Sequence, residues 1–144
     1  MIRKLALATT LALTPLMSLA EGVTHYLAIH VNENDPQVMN IALNNAQNVQ
    51  SYFASQGDDV VIEVVAYGPG LHMLRADTSP VADRIAAMSL ESDTISFAAC
   101  GNTHRKMSEA AGAEVPLLEE AGMVTSGVVR LIELQEAGYS YLKP

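Results

Sequence analysis

The chain has 144 residues, with 16 Asp and Glu against 8 Lys and Arg and a formal net charge of −8. That acidity argues against nucleic acid and anionic membrane surfaces as partners, because both reward clustered Lys and Arg. The one cysteine, Cys100, excludes an intramolecular disulfide, so sulfur chemistry here is that of a single thiol or involves a partner.

The chain opens like a leader. Arg3 and Lys4 form a basic patch, residues 5–17 are mostly apolar, and residues 18–20 (SLA) end in small side chains. This is the pattern of a secretory signal peptide cleaved after Ala20. The apolar run falls short of the ~20 residues a membrane helix needs, and no later run is long enough. Cleavage would leave a domain of 124 residues, 21–144, with all 16 acidic and six of the eight basic residues, net −10. The expected location is periplasmic or secreted, with no membrane association after cleavage. A lone cysteine is unusual there, since oxidising compartments favour paired ones.

Residues 25–31 (HYLAIHV) read as a buried strand. Asp35 is placed to cap a helix that Pro36 begins. Apolar residues from Val38 to Phe53 keep the 3.6 period, and Gly57 closes the helix. Residues 60–67 (VVIEVVAY) are continuous and β-branched, as in a strand covered on both faces. Gly68-Pro69-Gly70 breaks that run, and residues 71–76 form a short helical turn. A second helix is expected over 81–88, a third strand over 94–99 and a third helix over 103–112. A short strand at Met123-Val124, a helix over 127–137 after Ser126, and a last strand within 139–142 complete the chain.

Strands and helices alternate with short connections, so the crossovers should be right-handed and the strands parallel. The expected fold is a three-layer α/β domain with a mainly parallel sheet of 4–5 strands. Ligands of open α/β sheets bind beyond the carboxyl ends of the strands. Three loops leave such ends: 32–36, 68–71 and 100–104. The thiol and the Gly-Pro-Gly turn should therefore share one edge.

Segments 30–36 (HVNENDP), 64–71 (VVAYGPGL), 99–103 (ACGNT), 126–138 (SGVVRLIELQEAG) and 141–144 (YLKP) together resemble the DsrE/DsrF-like family, in its short, exported branch. The resemblance spans nearly all of the chain after the leader. It implies a flavodoxin-like, DsrE-like sheet and a homo-oligomer, trimer or hexamer. It also implies that a cysteine after the third strand carries sulfur as a persulfide and exchanges it with a donor or acceptor protein. Cys100 matches that cysteine. The activity implied is at most that of a sulfurtransferase, with no cofactor.

For Cys100 the alternatives are a low-pKa thiolate and a small apolar residue packed at a strand end. His104 and Arg105 follow closely enough to support a thiolate, as does Lys106. Gly68, Gly70, Asn102 and Thr103 are candidate ligand contacts beside the thiol. His30, His72 and His104 could meet at one edge, but no metal-ligand spacing appears and no metal is expected. Gly68–Gly70 is not a phosphate loop, because no Lys-Ser/Thr follows. A Cys–His hydrolase is disfavoured, because no nucleophile elbow surrounds Cys100. Two functions remain: a sulfur carrier, and a non-catalytic small-ligand-binding or structural oligomeric module in which Cys100 only packs.

Overall fold

The computed structural model describes residues 22–144. The expected leader, residues 1–20, lies outside the described residues. The elements are β1 (Thr24–Val31), α1 (Pro36–Gln56), β2 (Asp59–Ala66), a 3-10 segment (Gly68–Leu74), α2 (Ala82–Glu91), β3 (Ile95–Cys100), α3 (Gly101–Ala111), β4 (Ala121–Val124), α4 (Gly127–Glu136) and β5 (Ser140–Leu142). Five strands form one all-parallel sheet in the order β4-β3-β2-β1-β5. The sheet is doubly wound, with its own strand order rather than the 2-1-3-4-5 of flavodoxin.

Local chemistry sets the long helix. Asp35 is extended (φ −128°) and its carboxylate accepts the Gln37 N–H at 2.8 Å; Pro36 needs no hydrogen bond at the first position. Gly57 ends the helix at φ 81°, a left-handed conformation costly for other residues. Replacing Asp35 with alanine should cost about 1 kcal/mol of stability. Denaturant unfolding checks this, and a midpoint unchanged in Asp35→Ala would show that the cap does not matter.

Alternation along the strands sorts the side chains to two faces. Leu27, Ile29, Val31, Ile62, Val64, Phe97 and Ala99 face α1, the 3-10 segment and α2, and form the larger core. Ala28, Val65 and Ala98 face α4 and pack with Leu131 and Leu134. One ten-residue helix cannot cover a five-stranded sheet. Val128 and Ile132 on α4 remain 51% exposed, and Met123 on β4 is 53% exposed. Among the described residues no helix is long and apolar enough to cross a membrane.

Candidate functional site

The chain steps across the sheet from β1 to β4, then returns to add β5 beside β1. The return reverses the face on which the helix runs. After β3 the chain enters α3, whose Met107 packs on the larger core; after β4 it enters α4, on the opposite face. The two helices therefore diverge from the carboxyl ends of neighbouring strands, which is the crevice where such sheets bind ligands. Cys100 is the last residue of β3 and stands in that divergence.

Two helix N-termini meet there. Asn102 and Thr103 lie in the first turn of α3, and Gly127 is the first residue of α4. Burial acts on the Cys100 thiol to raise its pKa. The Thr103 hydroxyl and the N–H groups of Gly127, Thr103 and Asn102 lie beside the sulfur and outweigh it, and the thiol lies below its ordinary value. The physical reason is that N–H groups at helix starts have no intrahelical acceptor and favour an anion. The Thr103 oxygen accepts the Gly68 N–H at 2.9 Å, which leaves its hydroxyl hydrogen free to favour the neighbouring thiolate. The Asn102 N–H donates to the Thr125 carbonyl at 3.2 Å.

Gly127 comes this close because it lacks a side chain. An added Cβ would lie 2.8 Å from Tyr67 Cβ, 2.9 Å from its ring and 3.2 Å from Cys100 Cβ. Tyr67 in turn stacks on His30, centroids 4.6 Å apart, and His30 Nδ1 pairs with the Tyr141 hydroxyl at 2.7 Å. His30 is buried and its Nε2 has no partner among the described residues. Burial, then the Lys143 charge, lowers the His30 pKa, with Glu33 opposing. The thiol thus ends a row of rings running toward β5: half-buried Tyr67, buried His30 and exposed Tyr141.

Other sequence candidates lie elsewhere. His104 Nε2 pairs with the Val115 carbonyl at 2.8 Å, and Arg105 pairs with Glu109 at 3.2 Å, so neither serves the thiol as expected. Gly70, expected as a ligand contact, is buried; a Cβ there would collide with the Val31 carbonyl, so its role is close packing on β1. His30, His72 and His104 do not converge: His72 pairs with the Thr78 carbonyl. Among the described residues no three His, Cys, Asp or Glu side chains group to hold a metal. Cys100 has its donors, but the residue is only 4% exposed.

Gly127, Tyr67 and the Glu63–Arg130 pair were not singled out from sequence. Their roles depend on strand order, which brings α4 over β2 and β3. A glycine at the first helical position after a short strand was the one available signal. A groove of about 810 Å³ also opens on the far side of Thr103, between α3 and the 3-10 segment; Gly68 and Thr103 line it.

The sequence profile of the DsrE/DsrF-like family matches residues 25–144. Among solved structures, the chain is similar to a protein of unknown function, MTH1491, from Methanobacterium thermoautotrophicum. The two share 30% sequence identity and a TM-score of 0.70, over 83% of this chain and 99% of that one. No curated protein matches the chain significantly.

Proposed function

Since the chain belongs to the DsrE/DsrF-like family, which is linked to sulfur relay, we propose that Cys100 carries sulfur as a persulfide. The observation that carries the reading is the convergence of two helix N-termini on the lone thiol at the switch point of the sheet. The Cys100 thiolate attacks the outer sulfur of a persulfide or polysulfide donor. A bond forms between Sγ and that sulfur, the donor's S–S bond breaks, and its electron pair leaves with the remaining thiolate. Sulfur moves with no net oxidation, and the same donors that held the thiolate then face the persulfide. Release to an acceptor thiolate is the reverse exchange. The reading includes export to the periplasm, supported by the leader-like start, and a trimeric or hexameric homo-oligomer, supported by the uncovered apolar side chains around α4.

The test is the pH profile of Cys100 alkylation in chain lacking residues 1–20. Iodoacetamide should react with a midpoint below that of an unperturbed thiol, ~8.5. Thr103→Val should move the midpoint up. Polysulfide should add the mass of one sulfur atom, and Cys100→Ser should add none. A midpoint at or above the ordinary value ends the carrier reading. Stability follows the same shift. The native thiol loses its proton at lower pH than the unfolded one, so the wild type gains on Cys100→Ser as pH rises through the native pKa. The gain is complete above the unfolded value and absent in acid.

The burial of Cys100 favours a second reading, a binding module in which the thiol packs. Ligand-dependent thermal stabilisation that persists in Cys100→Ala would select it.

A further inference from the structure

Helix α3 is amphipathic, yet none of its residues is buried. Thr103, Lys106, Met107 and Ala110 follow the i, i+3, i+4, i+7 spacing of one helix face, the spacing by which a helix ordinarily seals against a core. Here that face looks into the groove of about 810 Å³. The opposite wall is Gly68, Pro69, His72 and Arg75. Glycine and proline present little bulk, so the helix and the 3-10 segment do not close on each other.

The chemistry of this space is asymmetric. Its apolar lining includes Pro69, Met107 and Ala110. In a chain of net charge −8, no carboxylate lines it, and its charged groups are Arg75 and Lys106. Asp77 holds Arg75 through two contacts, at 2.9 and 2.6 Å. Lys106 makes no ion pair among the described residues. The volume lies within the roughly 300–1,000 Å³ of small-molecule sites. One uncommitted cation beside an apolar lining matches one negative charge on an apolar body. A polyanion would need more free cations than the groove offers.

We propose that the groove between α3 and Gly68–Leu74 binds a small organic monoanion with an apolar body, such as a carboxylate or sulfonate, with its charge at Lys106. Cys100 does not line the groove, and Thr103 stands between them. The site therefore stands whether or not Cys100 carries sulfur.

The test compares anilinonaphthalene sulfonate with its uncharged parent, N-phenylnaphthylamine, by fluorescence titration. The sulfonate should saturate one site per chain. Lys106→Ala should weaken it about fivefold, the scale of an exposed charge pair, and leave the uncharged probe unchanged. Ala110→Trp, at an exposed helix position, fills the groove and should abolish binding of both probes. Ile132→Ser, on the uncovered face of α4, and Cys100→Ser should alter neither. No sulfonate binding, equal binding in Lys106→Ala, or loss in Ile132→Ser would each overturn the proposal. A fall in oligomer mass on Ala110→Trp would also overturn it, by assigning the groove to a second copy.

Discussion

Replacing Arg130 with alanine is expected to cost about 2–3 kcal/mol of stability. Glu63 lies in the middle of β2 and points at α4; the residue is buried. Arg130 answers it from α4 with Nε and Nη2, each 2.7 Å from a carboxylate oxygen. Removing the guanidinium strands a carboxylate between sheet and helix, and one-sided loss of a buried pair costs ~3–5 kcal/mol. Arg130 is itself 35% exposed, so water can reach part of the vacated space, which sets the figure below that range. The double variant Glu63→Met with Arg130→Met should recover most of the loss, because a matched apolar pair leaves no buried charge. A double-mutant cycle in denaturant gives the coupling directly. The expectation fails if Arg130→Ala costs less than about 0.5 kcal/mol. Arg130 lies one turn beyond Gly127, so the variant should also raise the Cys100 pKa by loosening the helix that supplies an N–H.

How far the sequence reached depends on the range over which each signal acts. Asp35, Pro36 and Gly57 bound α1 through bonds within a few residues of themselves, and such signals survive any tertiary arrangement. The largely apolar, β-branched runs at 60–67 and 94–99 marked β2 and β3, because strands buried mostly on both faces show little polar alternation, Glu63 and Ser96 being the exceptions. That they belong to an α/β domain in the DsrE/DsrF-like family followed from these runs and the segments between them. The site was less legible. His104 lies one turn beyond Cys100, so it was a reasonable candidate base; its ring instead caps the loop at Val115. Gly70 is a candidate ligand contact because its turn could offer backbone polar groups in the strand-end crevice, while the other reading of the same turn is close passage of the chain beside the Cys100 loop. The close approach is there, but it is made to the end of β1 rather than to the Cys100 loop. Gly127 is 27 residues from Cys100, and only the return of the chain to β5 turns α4 back across the thiol. The groove was hidden for a related reason. The apolar positions of α3 look like a core stripe; Met107 does pack on the larger core in part, and only the slightness of the facing wall leaves the rest of the stripe open.

Gly127→Val should be as damaging as the loss of Arg130, by about 2–3 kcal/mol, and it should strike stability and the thiol together. The first β carbon already falls 2.8 Å from Tyr67 Cβ, an atom fixed to the backbone that cannot rotate away. Two further methyl groups have only Tyr67 and Cys100 to displace. The start of α4 must retreat from the sheet, and the Gly127 N–H retreats with it from sulfur. Gly127→Ala should show the same effects at roughly half the size, since it adds the clashing carbon without the branches. Tyr67→Ala in the valine background removes the ring carbon at 2.9 Å but keeps the Cβ at 2.8 Å, so it should restore only part of the stability. Thermal melts and the pH profile of alkylation, run on the same variants, separate the consequences. If thiol and helix are coupled as described, the midpoint of alkylation rises in the order wild type, alanine, valine, in step with the loss of stability. A valine variant that is destabilised but keeps the wild-type alkylation midpoint would mean that the N–H of Gly127 does not hold the thiolate, leaving that task to Thr103 and Asn102 alone.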